Sequence, residues 1–277
     1  MELAKANEVY GLARFRDESV RRVLEDSGLT IIKIDATKDS LDEVPADYDY
    51  VFSELAMLRN CDSFPKEAFL VNTRFVGDLI EHFRCADGIV LASTGAVYRP
   101  IVEAWKEEGI LDPRNTYALT KLCGEVLGNY VSEKLNVPIC ILRYFYPYGP
   151  LSSGGILARW ADAIRDRTAI PLTRSAIPLY NPHFISDCVE LTIEAVKLCK
   201  VPATILNLAG VEIKSKIELL DMISKALGLD YIVEESEKED LAWVGDVSLM
   251  LKSLREPKVK LREGIERMVK KRYGSKA

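Results

Sequence analysis

The sequence predicts an α/β fold, a parallel sheet with helices on both faces and a smaller lobe toward the C-terminus. Short apolar runs bounded by turn residues alternate with stretches of helical length over the first half of the chain. Gly88-Ile89-Val90-Leu91-Ala92 is apolar throughout, as a strand buried on both faces should be. After Gly149 the alternation becomes less regular, and that portion is expected to supply the lobe.

Taken in order, strands are expected near 8–13, 30–35, 48–53, 88–93, 137–144 and 203–208. Helices are expected near 16–27, 66–84, 116–135, 156–168, 186–199, 214–227 and 261–271. This places a sheet domain over 1–150 and a lobe over 151–277, with late sheet elements at 183–210 interleaved in it. Glu234-Glu235-Ser236-Glu237-Lys238-Glu239-Asp240 reads as a solvated connection.

Of the 277 residues, 48% are hydrophobic and 29% charged, ordinary for a globular chain. A net charge of -5 argues against a nucleic-acid partner. No window approaches the ~20 apolar residues a membrane helix needs, and Glu2, Lys5 and Glu8 exclude a signal peptide at this N-terminus. Six scattered cysteines without Cys-x-x-Cys suit reduced thiols, hence the cytoplasm. Two isolated histidines make a zinc hydrolase improbable and no metal is expected; there is no Gly-x-Ser-x-Gly elbow either.

The chemistry concentrates at Tyr117-Ala-Leu-Thr-Lys121. A tyrosine and a lysine four apart lie on one helix face, and an ammonium beside a phenol draws its pKa down from ~10 toward working pH. The phenol then serves as an acid/base. With 12 tyrosines in the chain, about one such pair arises by chance, and Tyr130-Val-Ser-Glu-Lys134 is a second. At ~100° per residue, Tyr130 points about 140° away from Tyr117, so the pairs cannot share a site. Context favours Tyr117. The strand at 88–92 ends in Ser93-Thr94, where ligands bind in open α/β sheets, and Asn115-Thr116 can cap the helix that follows.

Three motifs, Ser93-Thr94-x-x-Val97-Tyr98, Tyr117-x-x-x-Lys121 and Leu142-Arg143-Tyr144-Phe145-x-Pro147-x-Gly149-Pro150, occur in order. In this the chain resembles the extended short-chain dehydrogenase/reductases, the nucleotide-sugar epimerase/dehydratase group. The resemblance implies a Rossmann-like, doubly wound sheet and an NADP- or NAD-dependent epimerase or reductase acting on a nucleotide sugar, and it leaves a homodimer open. It implies Tyr117 as acid/base, Thr94 as the hydroxyl orienting a substrate oxygen, and Lys121 as the cation acting on Tyr117 and on the nicotinamide ribose. Arg14, Asp35, Leu55, Ala56, Ser93 and Phe145 would line the cofactor groove, with Asn72 supporting the site's backbone. Tyr146 and Asn181 would face substrate.

Three departures qualify it. Family members open with a strand, a Gly-x-x-Gly-x-x-Gly turn and a helix that closes on the cofactor diphosphate. Here no glycine precedes Gly11, inside the second-strand segment Glu8-Val9-Tyr10-Gly11-Leu12-Ala13, so a truncated or mis-started chain is expected, binding dinucleotide weakly. Many members also carry Asn where this chain has Tyr146, and no acidic pair follows Thr94, which favours epimerisation or oxidoreduction over dehydration. A reductase of another small carbonyl, or a non-catalytic binding or regulatory module, are the alternatives.

Cofactor choice gives a testable expectation. Where NAD-preferring members end the second strand with an acid for the ribose 2′-hydroxyl, this chain has Ala13, then Arg14. A guanidinium suits a 2′-phosphate. A protein with this segment and an intact diphosphate turn should bind NADP tighter than NAD, and Arg14→Ala should lower that ratio about tenfold. Titration calorimetry decides it; tighter NAD binding, or a ratio indifferent to the substitution, refutes the assignment.

Overall fold

A computed structural model describes residues 1–100, 103–152, 154–173, 178–237 and 241–274. The chain begins β1 (Val9–Ala13), α1 (Glu18–Asp26), β2 (Leu29–Lys33), with β1 and β2 parallel and Val9 opposite Leu29. Asp17 starts α1, its carboxylate accepting from the N–H groups of Ser19 and Val20 at 2.9 and 3.4 Å. β3 (Tyr50–Ser53) follows and pairs in parallel with β4 (Gly88–Thr94). Between them the helix expected over 66–84 is built as α2 (Pro65–Phe69), a π-helical stretch at Leu70–Arg74, and α3 (Phe75–His82). Such wide turns gather at functional sites, and this one carries Asn72, fully buried.

After β5 (Ala104–Trp105) comes α4 (Thr116–Leu135), then β6 (Ile139–Tyr144) and β7 (Pro147–Tyr148). α5 (Ile156–Arg165), β8 (Ile170–Thr173), β9 (Leu179–Tyr180), β10 (His183–Phe184) and α6 (Ile185–Glu194) lead to β11 (Thr204–Leu208). The chain closes with β12 (Lys214–Ser215), α7 (Lys216–Leu227), β13 (Val233–Ser236), β14 (Val244–Gly245), α8 (Ser248–Ser253) and α9 (Leu261–Tyr273).

The main sheet has the strand order β11-β6-β4-β3, while β1 and β2 form a two-stranded sheet of their own. Among the described residues, β1 and β3 therefore each keep one unpaired edge. No residue of β1, β2 or α1 is buried, although β1 reads Val-Tyr-Gly-Leu-Ala. An apolar strand paired on one edge has half the cover that a central strand receives.

The chain divides into two compact units that exchange it repeatedly: Met1–Ser93, Arg114–Ile141 and Thr192–Thr204 in one, and Thr94–Pro113, Leu142–Leu191 and Ile205–Ala277 in the other. The sequence places the boundary near 150. The first unit buries Ile80, Ile89, Val90, Leu91 and Ile139; the second has its own apolar cluster, with Leu157, Ile164, Leu220, Ile223 and Met268 at its centre.

The six strands and seven helices expected all form, with ends shifted by a few residues. Glu234 and Glu235 correct one expectation: they lie in β13, paired in parallel with β8 as Glu234 opposite Pro171 and Glu235 opposite Leu172, rather than in a connection. Both side chains are exposed, so backbone pairing proceeds without desolvating either carboxylate. The end of that acidic run, 238–240, lies outside the described residues.

Candidate active site

The first unit builds a site around α4. Asn115 caps the helix, its side chain accepting from the Ala118 N–H at 2.8 Å, while Asp62 takes the Thr116 N–H at 3.0 Å. This fixes where Tyr117 begins. α4 then runs close against the π-helical turn, because Gly124 faces it: a Cβ there would sit 2.4 Å from the Asn72 carbonyl oxygen. Asn72 uses its amide as a clamp, accepting from Met57 N–H at 2.7 Å and donating to the Met57 carbonyl at 3.1 Å and to Thr120 Oγ1 at 3.0 Å. Thr120 Oγ1 donates in turn to the Tyr117 carbonyl at 2.9 Å, and Thr73 to the Thr120 carbonyl at 2.8 Å. Asn72 thereby ties the segment after β3 to α4.

Tyr117, Lys121 and Glu125 recur every four residues on one face of α4. Tyr117 is half-buried; Lys121 is 4% exposed and Glu125 6%. Burial pushes the Lys121 ammonium down to about 8, and the negative charges of Glu54 and Glu125 act against that fall. Glu125 accepts a hydrogen bond from Ser93 Oγ at the end of β4. Beside them lies a cavity of about 10 Å³ lined by Asn72, Val76, Leu91, Ala92, Lys121, Gly124, Glu125 and Ile141, the size of about one water.

The second tyrosine–lysine pair is placed elsewhere. Tyr130 is 59% exposed, with the Lys134 ammonium over its ring at 5.5 Å. Ser93, assigned by resemblance to the cofactor groove, is instead buried and bonded to Glu125. Arg14 is exposed just after β1, and its charge helps hold Asp35 below the usual carboxylate range, behind the hydrogen bonds Asp35 accepts from Thr37 Oγ1 at 2.7 Å and Thr37 N–H at 3.1 Å. Leu55 and Ala56 follow β3 half-buried.

The remaining expected residues belong to the second unit. Thr94 Oγ1 accepts from the Ala96 N–H at 3.2 Å, capping the turn after β4. Phe145 is a packing residue, 2% exposed and so close to Gly95 that a Cβ there would fall 2.3 Å from its ring. Tyr146 takes a positive φ of 45° and accepts from the Trp243 N–H at 2.7 Å. Asn181 is also structural in its bonding: 1% exposed, it donates to the Gly245 carbonyl at 2.8 Å and accepts from the Gly245 N–H at 3.3 Å. Its amide is engaged before a substrate arrives, because a buried amide must satisfy both its donor and its acceptor.

Sequence reasoning passed over Glu125. The signal was there: Lys121 plus four is the next position on the same face, and a carboxylate beside a buried cation needs a reason.

These groups suit one end of a nicotinamide dinucleotide better than the other. A half-buried phenol above a buried ammonium can hold a sugar hydroxyl and a ribose. A diphosphate needs an open helix N-terminus with free N–H groups. In the first unit, Asp17 already occupies the N-terminal N–H groups of α1, α2 opens with Pro65, and Asn115 and Asp62 close α4. The described residues of the first unit therefore suit a nicotinamide ribose and supply no diphosphate cradle at these helix ends.

Lys121 has its ordinary pKa of 10.5 when unfolded and about 8 in the fold. Between those values the unfolded chain binds more protons, so stability rises with pH. The penalty is fully present below about 8 and fades toward 10.5. Urea unfolding of wild type and Lys121→Met should show wild type gaining about 2 kcal/mol on the variant from pH 7.5 to 10. A difference that stays flat across that range would show the ammonium to be solvated.

Known proteins resemble the chain in sequence and in fold. Residues 2–209 match the model of a family described as NAD dependent epimerase/dehydratase. The UDP-glucuronate 4-epimerase of Thermodesulfobacterium geofontis (strain OPF15) is 28% identical over 189 residues, 65% of this chain and 58% of that protein. The UDP-N-acetyl-alpha-D-glucosaminuronate decarboxylase of Bacillus cytotoxicus is 27% identical over 192 residues, 64% of this chain and 59% of that protein. The matched region thus spans less than two thirds of these curated relatives. In fold, the chain is similar to UDP-glucuronic acid 4-epimerase from Bacillus cereus in complex with NAD, with TM-score 0.84 and 22% identity over 99% of this chain and 91% of that one. It is also similar to UDP-N-acetylglucosamine 4-epimerase from Methanobrevibacter ruminantium M1, with TM-score 0.85 and 20% identity over 97% and 91%. With residues 2–209 of its 277 inside the family model, the chain belongs to the NAD dependent epimerase/dehydratase family.

Proposed function

We propose that the chain serves an NAD(P)-dependent nucleotide-sugar epimerase, with Tyr117 moving the proton of a sugar hydroxyl. The observation that carries this is the Tyr117–Lys121 pair on a buried face of α4, its cation flanked by two carboxylates. Tyr117 as phenolate removes the hydroxyl proton as a carbonyl forms, and as phenol returns it when the carbonyl is reduced. Lys121 keeps the phenolate accessible by its charge. A bound nicotinamide supplies reversible hydride acceptance at the same carbon. Uridine diphosphate sugars are the first substrates to try, since the relatives are named for them. A second reading, a binding module without turnover, has its own support in the closed helix N-termini of the first unit.

One assay separates them. The chain is given UDP-glucuronate with NAD or NADP, and the C4 epimers are followed by NMR. Turnover is expected where an intact diphosphate turn precedes β1, with Tyr117→Phe then lowering kcat ~10²-fold or more and Tyr130→Phe leaving it near wild type. Binding without epimerisation supports the module. Equal losses from both substitutions would mean that Tyr117 is not the acid/base.

The assembly we propose is a homodimer in the cytoplasm. Leu119, Val126 and Tyr130 are exposed on α4, and a groove of about 550 Å³ is lined by Phe69, Leu70, Leu127 and Val131 together with the charged Lys66, Arg74, Asp78 and Glu81. Apolar surface on this scale favours association. Among the described residues the six cysteines are free, and no helix is long and apolar enough to cross a membrane. Sedimentation should give the wild-type mass as twice that of Val126→Glu; a monomeric wild type at micromolar concentration would rule the dimer out.

A further inference from the structure

Glu125 is the one buried acid of α4, and the acid/base scheme above gives it no task. It sits a full turn beyond Lys121 on the same face and accepts from the buried Ser93 hydroxyl at the end of β4. That bond joins the helix to the strand beside which the site is built. A carboxylate this far from water is costly unless hydrogen-bonded and paired with a cation. Ser93 supplies the hydrogen bond. Lys121 is the cation on the neighbouring turn, and the two share the walls of the 10 Å³ cavity.

We propose that Glu125 is a positioning residue for Tyr117, its carboxylate, fixed by Ser93, holding the Lys121 ammonium charged and in place beneath the phenol. This rests on the acid/base reading of Tyr117 and extends it by one turn of helix.

The surroundings of Lys121 favour Glu125 in this part. α3 presents Val76 to the cavity, β4 presents Leu91 and Ala92, and β6 presents Ile141, all apolar; the π-helical turn brings the Asn72 amide. The charged groups acting on Lys121 are Glu54, just after β3, and Glu125. Glu54 exerts the larger effect of the two in this arrangement, yet it is exposed, where water and salt screen its charge. Glu125 is desolvated, held by a second residue and attached to the same helix as Lys121, so its influence survives salt and the arrival of ligands. Burial outweighs both acids and leaves the Lys121 pKa at about 8. With Glu125 neutral, more of the lysine would lose its proton near neutral pH, and a neutral amine does not draw the phenol's pKa down.

The test reads Lys121 itself. Its titration is followed by NMR of 13C,15N-lysine-labelled full-length chain, the signal assigned by its loss in Lys121→Met. Glu125→Gln keeps the acceptor for Ser93 and the shape while removing the charge. It should lower the Lys121 midpoint by about one pH unit or more, and the drop should persist in 0.5 M salt. Glu54→Gln should produce a drop that shrinks with salt. A Glu125→Gln midpoint within about 0.2 unit of wild type would overturn the proposal, as would a shift that salt abolishes. If Glu125→Gln does not fold, Glu125→Asp replaces it; the charge then retreats by one methylene, a smaller drop is expected, and no drop overturns the proposal equally. Because this titration needs neither substrate nor cofactor, an inactive chain showing the shift would count against the epimerase reading alone. An active chain lacking the shift would count against Glu125 alone.

Discussion

Helix α4 lies against the backbone at Asn72 with no room for a side chain between them. A Cβ on Gly124 would fall 2.4 Å from the Asn72 carbonyl oxygen, and one on Gly128 would press on Leu91 at 3.1 Å. Glycine at these positions costs helix propensity, roughly 1 kcal/mol each, and tertiary contact has to offset it. The contact it permits is the Asn72 clamp, which ties Met57 after β3 and Thr120 on α4 to one amide. The depth of Lys121 follows from that approach. Held further out, the same lysine would be solvated and its pKa ordinary, and the carboxylate of Glu125 would have no buried cation to face. Packing at Gly124 and Gly128 therefore sets the electrostatics of Lys121, three residues before the first of them.

How much of this the sequence disclosed depended on the range of the interaction concerned. The long elements were legible because each carries its own pattern: the apolar block at 88–92, and the Asn115 cap with a residue pair at helical spacing. Helical geometry separated Tyr117 from Tyr130, and context, the strand end at Ser93-Thr94 and the Asn115 cap, pointed to Tyr117; the structure places Tyr130 59% exposed. The two-residue strands β5, β7, β9, β10, β12 and β14 were not, since two residues carry no period and their pairing is fixed by residues distant in sequence. Ser93 shows the same limit in the site. Its position at a strand end was read correctly, but its partner lies 32 residues on, and only the packing of α4 on β4 brings Glu125 to it. Asn181 was placed toward substrate by resemblance alone; its burial against Gly245 arises from a contact 64 residues away.

The two ends of the prospective cofactor groove differ in charge and in readiness. At the end proposed for the nicotinamide, two acids act on one buried ammonium, so the region is prearranged and carries net negative charge. Around β1 and β2 the exposed side chains dominate: Arg14 lies near enough to Asp35 to depress its pKa, Arg16 stands two residues on, and Asp17 is engaged in capping α1. Asp35 is therefore both a candidate partner for adenine and a competitor for the guanidinium that would greet a 2′-phosphate. With its carboxylate already accepting from Thr37 Oγ1 and N–H, its negative charge is fixed in place. Arg14 has no such anchor among its backbone neighbours and remains on the surface. A flexible cation beside a fixed anion can turn toward an incoming phosphate at little entropic cost, whereas a fixed pair would first have to be broken. On the proposed reading, selectivity at this end would depend on how firmly Asp35 retains Arg14, a surface interaction sensitive to salt, while proton chemistry at the other end would depend on a buried one that is not.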